Sequence, residues 1–303
     1  MGGFDNLVLN QIGNEYKGAA VDMRVLVTGA NGYIGRHVIP ELLSRGVKVT
    51  AVDLHCDAVD VRCDTIEADI LSGGDGFYEK AGKPDACIHL AWRNSFEHNN
   101  ESHTTDMEKH FRFLSGLVDD GLPQLMVMST MHEVGYFEGA ITEDTPTNPV
   151  TAYGIAKNTL RKKMTDYCKE KNCILQWIRG FYIVGDDEHN NSVFTRMVEA
   201  SKTGNEPFPF TTGRNKFDFI GIDELAGQIA ATIMQKEVCG IINCCSGIAV
   251  PLADEAERFL KERKMDIQLD YGKYPEREDA SPAVWGDPTK IRKIMEADKR
   301  RKE

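Results

Sequence analysis

Length, composition and charge place this chain among ordinary folded proteins. Its 303 residues suffice for one large domain or two modest ones, with a core that needs neither disulfides nor metal. Hydrophobic residues make up 41% and charged residues 27%, which excludes a disordered or fibrous protein. The formal charge of −11 argues against nucleic-acid binding, which relies on Lys and Arg to neutralise phosphates.

Membrane and metal sites are not expected either. No stretch approaches the ~20 apolar residues that span a bilayer, and the N-terminus lacks the layout of a signal peptide. The eight cysteines have no metal-ligand spacing and include no CxxC pair. We therefore expect a cytoplasmic protein with reduced thiols and no metal. Residues 1–22 show no clear periodicity and are interpreted as an N-terminal extension, and the basic run 299–302 as a solvated tail.

Short β-branched strands alternate with segments of helical period from Met23 onwards. Strands are predicted at 23–27, 47–52, 86–90, 125–128 and 174–178, and helices at 34–44, 107–118 and 155–167. This alternation predicts an α/β fold with a Rossmann-type, doubly wound parallel sheet covered by helices on both faces.

The rhythm changes after about residue 185, where polar loops separate isolated helices at 192–202, 223–235 and 252–263. We expect a smaller C-terminal α/β substrate-binding lobe made of residues 186–217 and 244–303. The cofactor-binding domain would then comprise residues 23–185. Brief strands at 218–220 and 241–243 suggest that residues 218–243 return to its sheet.

A glycine-rich turn joins the first strand to the first helix over residues 28–35. Backbone N–H groups in such a turn can approach a pyrophosphate, which the helix dipole also favours. Asp53 closes the next strand at about the ~20-residue separation of a ribose-binding acid. Its charge would repel a 2′-phosphate, so the pattern predicts NAD, while Arg36 leaves NADP open. Asp69 and Ile70 are candidate adenine contacts.

Tyr153 and Lys157 lie four residues apart at the start of a predicted helix, and therefore on one face. A tyrosine that exchanges protons near neutrality must lose ~3 units from its free pKa of ~10, and a neighbouring ammonium favours this change. A second copy of the pattern, Tyr167 with Lys171, lies on the same helix about 21 Å further on, at 1.5 Å per residue. Only one tyrosine can reach a given cofactor.

Small neighbours distinguish the two copies. Gly154 and Ala156 flank the first copy and permit close backbone approach, whereas Tyr167 lies in a charged helix end. We assign catalysis to Tyr153 and surface salt-bridging to the second copy. The strand before this helix ends in Ser129 and Thr130, whose hydroxyls would face the ligand crevice of an open α/β sheet. Capping of the strand end is the alternative role for both.

These residues together resemble the extended short-chain dehydrogenases/reductases, within them the nucleotide-sugar epimerases, dehydratases and ketoreductases. The resemblance covers most of the chain, from Met23 to about Met295. It is carried by residues 28–35, Asp53, Asp69, Ile70, His89, Leu90, Ala91, residues 129–134, Tyr153, Lys157 and residues 179–185, 218–226 and 285–290. The cofactor-binding residues implied are Gly29, Asn31, Gly32, Tyr33, Ile34, Gly35, Asp53, Asp69, Ile70, Leu90, Ala91 and Lys157.

The resemblance implies hydride transfer at a sugar carbinol or ketone. Tyr153 would exchange the hydroxyl proton, Lys157 would bind the nicotinamide ribose and tune Tyr153, and a Ser or Thr would orient the sugar oxygen. Met131 occupies the usual position of that Ser or Thr, so Thr130 or Ser129 must replace it.

Other positions bear on the reaction and the substrate. Glu133 falls where dehydratases keep their base, and His132 where some keep an acid. Tyr182 replaces the family's substrate-binding asparagine, which places the usual diphosphate contact in doubt. Arg214 and Lys216 are candidate replacements for binding phosphate.

The sequence thus predicts an NAD(P)-dependent enzyme of a nucleotide-linked sugar, foremost a 4-epimerase or 4-ketoreductase. The alternatives are a 4,6-dehydratase, a ketoreductase of a non-nucleotide alcohol, and a catalytically silent dinucleotide sensor. In the family, the helices matching 107–118 and 155–167 form a two-fold interface, so a homodimer is expected.

Overall fold

A computed structural model describes residues 22–73, 76–185, 192–203, 207–276 and 280–302. The extension expected over residues 1–22 lies outside the described residues except for Asp22. Among the residues described, no helix is both long and apolar enough to cross a bilayer.

The described elements follow one another as strands and helices along most of the chain. The strands are β1 (Arg24–Thr28), β2 (Lys48–Asp53), β3 (Asp64–Glu67), β4 (Ala86–His89), β5 (Gln124–Thr130), β6 (Gly139–Ile141), β7 (Ile174–Gly180), β8 (Tyr182–Val184), β9 (Phe208–Phe210), β10 (Lys216–Gly221), β11 (Gly240–Cys244), β12 (Ala249–Pro251), β13 (Leu269–Tyr271) and β14 (Ala283–Gly286). The helices are α1 (Tyr33–Ser44), α2 (Phe77–Lys80), α3 (Ser102–Asp119), α4 (Ala152–Lys171), α5 (Val193–Thr203), α6 (Ile222–Ile233), α7 (Leu252–Glu262) and α8 (Thr289–Lys302), with a 3₁₀ turn at Met131–Glu133.

The main sheet has seven strands in the spatial order β11-β7-β5-β4-β1-β2-β3, and every pairing in it is parallel. The chain starts at β1, builds outward through β2 and β3, then returns to the other side of β1 with β4. This reversal leaves a crevice at the carboxyl ends of β1 and β4, where open α/β sheets bind ligands.

Alternation along β1 shows how the sheet is covered on both faces. Val25 and Val27 belong to one buried cluster, together with side chains of α1 and α6. Leu26 belongs to the other cluster, with side chains of α3 and α4. Successive residues of a strand point to opposite faces, so the apolar run of β1 is buried on both. The predicted doubly wound Rossmann-type fold is confirmed.

A second sheet holds five short strands, in the order β12-β10-β14-β6 with β8 paired to β10. The expectation that residues 218–220 return to the main sheet is wrong, because they lie in β10 at the centre of this second sheet. Residues 241–243 do return, in β11 beside β7. The chain re-enters the main layer at α6, which packs against α1.

The last helix also belongs to the main layer in space. α8 packs against α6 and β11. Its Asp298 accepts a hydrogen bond of 2.7 Å from the guanidinium of Arg45, the residue that follows α1, and the two side chains are 4% and 1% exposed. The basic run 299–302 therefore continues a helix whose earlier turns are packed, and Lys299, Arg300 and Arg301 are exposed to solvent on it, as predicted.

Candidate active site

A cavity of about 1130 Å³ opens at the carboxyl ends of the main strands and extends to the second sheet. Most of the sequence-predicted site residues line it. They are Gly29, Gly32, Tyr33, Ile34, Gly35, Asp53, Asp69, Ile70, Leu90, Ala91, Ser129, Thr130, Met131, His132, Tyr153, Lys157 and Tyr182. Asn31, Glu133, Arg214 and Lys216 lie outside its lining.

The glycine turn is packed as a close-approach cradle. Gly29 has φ +71°, and a Cβ atom there would lie 2.6 Å from the backbone nitrogen of Ala91. A Cβ atom at Gly35 would lie 2.4 Å from the carbonyl oxygen of Gly29. Only glycine fits both positions, which brings the turn against the start of α1 and opens its backbone to the cavity. This cradle suits a pyrophosphate.

Asp53 ends β2 at the cavity wall, and Asn31 supports it from outside. The Asp53 carboxylate accepts hydrogen bonds from the backbone N–H of Asn31 at 2.9 Å and of Leu54 at 2.7 Å. The Asn31 side chain instead binds Asp57 and the backbone of Ala58. Asn31 thus orders the loop that presents the carboxylate. The cradle and the carboxylate together fit NAD.

Asp69 lies on the cavity wall beside a cation that no sequence motif marks. Its carboxylate pairs with Arg93 at 3.0 Å and accepts a hydrogen bond of 3.0 Å from the backbone of Leu71. Arg93 follows β4 by four residues and also lines the cavity. The pair fixes the loop after β4 against the segment that contains Asp69 and Ile70.

Tyr153 lies in the first turn of α4, which approaches the end of β5 closely. Thr151 caps the helix by accepting a hydrogen bond of 3.1 Å from the Gly154 N–H. A Cβ atom at Gly154 would lie 2.5 Å from the carbonyl oxygen of His132. This close approach, expected from the small neighbours of Tyr153, places the phenol beside the Thr130 hydroxyl.

The two strand-end hydroxyls have different partners. Burial and the charge of Glu133 raise the pKa of the Tyr153 phenol, and the nearby Thr130 hydroxyl lowers it. The Thr130 hydroxyl also accepts a hydrogen bond of 3.2 Å from the backbone N–H of His132. Ser129 donates its hydroxyl to the carboxylate of Glu133. The structure therefore brings Thr130 to Tyr153, while Ser129 is occupied on the other side.

Glu133 is not placed where a catalytic base would be. Its side chain is fully buried, and its oxygens accept hydrogen bonds from Trp177 at 2.7 Å and from Arg179 at 3.3 Å. It belongs to the 3₁₀ turn, whose side chains are about 120° apart. Met131 and His132 therefore face the cavity while Glu133 faces the protein interior.

Lys157 lies one helical turn after Tyr153 and is 3% exposed. Its ammonium donates a hydrogen bond of 2.8 Å to the carbonyl oxygen of Met128. Burial lowers the pKa of Lys157 to about 7, and the charge of Glu133 opposes that shift. Lys157 therefore titrates near neutral pH, and its ammonium form favours the phenolate of Tyr153.

Aromatic rings surround Tyr153, and most of them escape prediction from the sequence. His98 stacks on the Tyr153 ring with centroids 5.6 Å apart, and the His132 ring lies 4.5 Å from that of His98. His103 lies 5.2 Å from Tyr153, and Trp92 lies 6.1 Å away. These residues come from the loop after β4, from α3 and from the 3₁₀ turn, so only the tertiary fold assembles them.

The far wall of the cavity is aromatic. Tyr182 packs on Phe217 with centroids 4.3 Å apart and on Phe219 at 5.7 Å. Both phenylalanines lie on β10 and line the cavity. The predicted location of Tyr182 in the substrate region is consistent with this wall.

The two cations predicted to bind phosphate are elsewhere. Arg214 lies exposed in the loop before β10, and Lys216 is exposed because it alternates along the strand with the inward-facing Phe217. Arg196 of α5 does line the cavity. In the sequence, Arg196 is only one cation within a predicted helix of the second lobe, so no motif marks it as a site residue.

The second Tyr–Lys pair is at the surface, as predicted. The Tyr167 hydroxyl donates to Asp119 at 2.6 Å, and Lys171 pairs with the same carboxylate at 2.8 Å. Asp119 ends α3, so this cluster ties the ends of two helices together, far from the cavity.

Comparison with known proteins identifies the family of this chain. A family model described as the NAD dependent epimerase/dehydratase family matches residues 25–245. The chain belongs to this family. The family is one of NAD-dependent enzymes, and relatives of this chain carry the names of enzymes that act on nucleotide-linked sugars.

Two relatives and one solved structure show which enzymes this chain is similar to. A dTDP-6-deoxy-L-talose 4-dehydrogenase (NAD(+)) from Aggregatibacter actinomycetemcomitans is 39% identical, over 87% of this chain and 99% of its own. A putative UDP-arabinose 4-epimerase from Arabidopsis thaliana is 26% identical, over 89% and 71%. Among solved structures, the Thermus thermophilus UDP-glucose 4-epimerase in complex with NAD has a TM-score of 0.77 at 20% identity, over 91% and 93%.

Proposed function

We propose that this family member is an NAD-dependent 4-dehydrogenase, or in the reverse direction a 4-ketoreductase, of a nucleotide-linked 6-deoxyhexose. The observation that carries the proposal is one continuous cavity that joins the glycine cradle, the Thr130–Tyr153–Lys157 cluster and an aromatic wall. The 39% identical 4-dehydrogenase supports the choice of reaction.

Bound NAD would supply the hydride acceptor, and the chain supplies the proton chemistry. Tyr153 takes the proton of the sugar hydroxyl as the carbonyl forms, and returns it in reduction. Thr130 donates its one hydroxyl hydrogen to the same sugar oxygen and orients the sugar. The Lys157 ammonium, one turn away, favours the phenolate form and would also hold the nicotinamide ribose. Ser129 holds Glu133 rather than the sugar.

The cavity wall supports a 6-deoxy sugar. Tyr182, Phe217 and Phe219 present ring surfaces that favour a methyl group over a carboxylate, because an unpaired carboxylate there would lose its hydration. Arg196 takes the role first expected of Arg214 and Lys216, that of a charged partner for the diphosphate. Met131 and His132 form the part of the floor next to Tyr153.

A nucleotide-sugar 4-epimerase is the second candidate, supported by the UDP-arabinose epimerase relatives. A 4,6-dehydratase is disfavoured because Glu133 is buried outside the cavity and Met131 carries no hydroxyl. A ketoreductase of a non-nucleotide alcohol is a further alternative, because Tyr182 stands where the family's diphosphate-binding asparagine is expected. The intact Tyr153–Lys157 pair is inconsistent with a silent dinucleotide sensor.

Product analysis separates these functions. Purified protein is incubated with NAD and a panel of dTDP-6-deoxyhexoses, with UDP-glucose and UDP-glucuronate as matched controls. We expect NADH absorbance and a 4-keto sugar by NMR from a 6-deoxyhexose only. An inverted sugar without net NADH would identify an epimerase, and a dehydrated product would identify a dehydratase. Absence of turnover with every nucleotide sugar would overturn the proposal.

We also propose a homodimer, a cytoplasmic location and no nucleic-acid partner. α3 and α4 pack together and leave Ile155 48% exposed, which supports an interface on this face, and the charge of −11 opposes nucleic-acid binding. Light scattering should give twice the chain mass, and Ile155→Asp should halve it. A monomer in the unaltered protein would contradict this arrangement.

A further inference from the structure

Trp92 lies directly against the lysine of the Tyr153–Lys157 pair. It follows the loop residues Leu90 and Ala91 and lines the cavity. The Nζ atom of Lys157 lies 3.8 Å from the centroid of the Trp92 ring, well within the range of a cation–π contact. The same ammonium is 5.9 Å from the Tyr153 ring. The indole is therefore the nearer aromatic face.

Two histidines hold the indole in this orientation. Its Nε1–H donates a hydrogen bond of 3.0 Å to Nδ1 of His103, and its ring stacks on His110 with centroids 4.4 Å apart and planes 11° from parallel. Because indole can only donate, Nδ1 of His103 accepts, and its Nε2–H is left to donate to the Glu97 carbonyl at 3.0 Å. The indole is thus fixed at its edge and on its face.

The groups around Lys157 explain why this contact matters. His89 of β4 and His110 of α3 face it, and both are neutral at physiological pH because burial and the lysine charge lower their pKa values. Glu133 of the 3₁₀ turn is the negative group that acts on it, but its carboxylate is bound by Ser129, Trp177 and Arg179. Tyr153 lies on the same helix as Lys157 and carries the phenol whose ionisation Lys157 favours.

We propose that Trp92 is a positioning residue for the Tyr153–Lys157 pair, with its indole face holding the Lys157 ammonium in place inside the buried site. The inference rests on the proposed function for its purpose but not for its test. Cation–π contacts are strongest where water is excluded, and at this site the contact stabilises the charged form of the lysine that burial disfavours.

The sharpest test alters the charge distribution of the indole without altering its shape. 5-Fluoro- and 4,5,6,7-tetrafluorotryptophan are incorporated at position 92 by nonsense suppression. The pKa of Lys157 is then read from its ¹³Cε resonance in the protein without cofactor. Fluorination withdraws electron density from the ring face and weakens the contact with the ammonium. The pKa of Lys157 should therefore fall stepwise with the number of fluorine atoms, by about one unit in total. Lys157→Arg identifies the resonance by removing it.

The matched control is the same substitution at Trp285, which lies outside the cavity lining, and it should leave the Lys157 pKa unchanged. An unchanged pKa in the position-92 series would overturn the inference, whether or not any sugar is turned over. Conversely, failure of every sugar substrate would overturn the proposed function and leave the fluorination result intact.

Kinetics of the assigned reaction supply a second readout. Trp92→Phe retains a ring face and Trp92→Leu does not, so the leucine variant should lose about tenfold more in kcat, with KM for the sugar unchanged and the acid–base limb of its pH profile displaced. Equal losses in both variants with an undisplaced pH profile would show that Trp92 only fills space.

Discussion

The Thr130 hydroxyl at the end of β5 lies beside the phenol of Tyr153 in α4, where it opposes the rise in the Tyr153 pKa that burial causes. The family position for a catalytic Ser or Thr is one residue further on, at Met131, which also lines the cavity. We propose that the role of this hydroxyl has moved by one residue along the chain, because the extended backbone of Thr130, with φ −147° and ψ 150°, turns its side chain towards the phenol.

The two Tyr–Lys pairs give a matched test of catalysis. Tyr153→Phe should lower kcat by about 10³-fold, because it removes the proton carrier, while retaining NAD binding by fluorescence. Tyr167→Phe should leave kcat unchanged, since its hydroxyl donates to Asp119 at the protein surface. Comparable losses in the two variants would contradict the assignment.

The neighbouring hydroxyls should separate activity from stability. Thr130→Val should lower kcat by about a hundredfold, because the sugar oxygen loses a donor. Its cost in the free energy of unfolding should be only about 1 kcal/mol, from the lost acceptor for the His132 N–H. Ser129→Ala should reduce the free energy of unfolding by about 1–3 kcal/mol, since it removes a donor from the buried Glu133 carboxylate. Urea denaturation and steady-state kinetics check both, and the reverse pattern would exchange the two roles.

Lys157 should destabilise the fold in a pH-dependent way. Its pKa in the folded protein is about 7, against an ordinary lysine value of 10.5. The burial penalty is therefore present in full below about pH 7 and disappears as the pH rises towards 10. Lys157→Met should therefore raise the free energy of unfolding by about 3 kcal/mol at pH 6. This figure takes about 1.4 kcal/mol per unit of pKa shift and subtracts the stabilisation that the variant loses with the cation–π contact and with the hydrogen bond to Met128.

Denaturation at pH 6, 8 and 10 measures that gain, which should shrink with each step. Lys171→Met is the control, because Lys171 pairs at the surface with Asp119 and no gain is expected from its removal. A gain for Lys157→Met that stays constant across the three pH values would refute the linkage.

Asp53 should determine the choice between NAD and NADP. Asp53→Asn removes the charge that opposes a 2′-phosphate and should shift the ratio of the two Kd values towards NADP by about a hundredfold. Asp57→Asn is the matched control, since Asp57 binds the Asn31 side chain outside the cavity. Calorimetric titration with both cofactors checks this, and an unchanged ratio in Asp53→Asn would exclude the role.

Two arginines distinguish the cavity from the surface. Arg196→Gln should raise KM for the nucleotide sugar by about tenfold or more with kcat retained, because a charge-assisted hydrogen bond to the diphosphate is removed. Arg214→Gln should leave KM unchanged, since Arg214 lies outside the cavity lining. Equal KM values in the two variants would remove Arg196 from the diphosphate site.

The sequence predicted those parts of the protein that local pattern determines. Spacing and neighbours within a few residues determine the strand–glycine–helix turn, the place of Asp53 at the end of β2, and the location of Tyr153 at the cavity and Tyr167 at the surface. The second sheet was harder, because β8 and β14 are only three and four residues long and take their identity from their pairing partners.

The rest of the site depends on tertiary approach. Trp92, His98 and Arg196 lie on a loop or on a helix whose distance from Tyr153 no periodicity can show. The misplacement of Glu133 has a local cause, since one step in a 3₁₀ turn rotates a side chain from the cavity into the interior. Trp92 did carry a signal, because it follows His89, Leu90 and Ala91 without a break.

The strands of the two sheets alternate along the second half of the chain. Strands of the second sheet come from segments before, between and after those that build the outer half of the main sheet, and β11 and α8 return to the main layer after β10 and β14 respectively. No single cut through the described chain separates the second sheet from the main sheet. Exchange of substrate preference between relatives must therefore proceed through point changes and loop insertions, not through transplantation of a fragment.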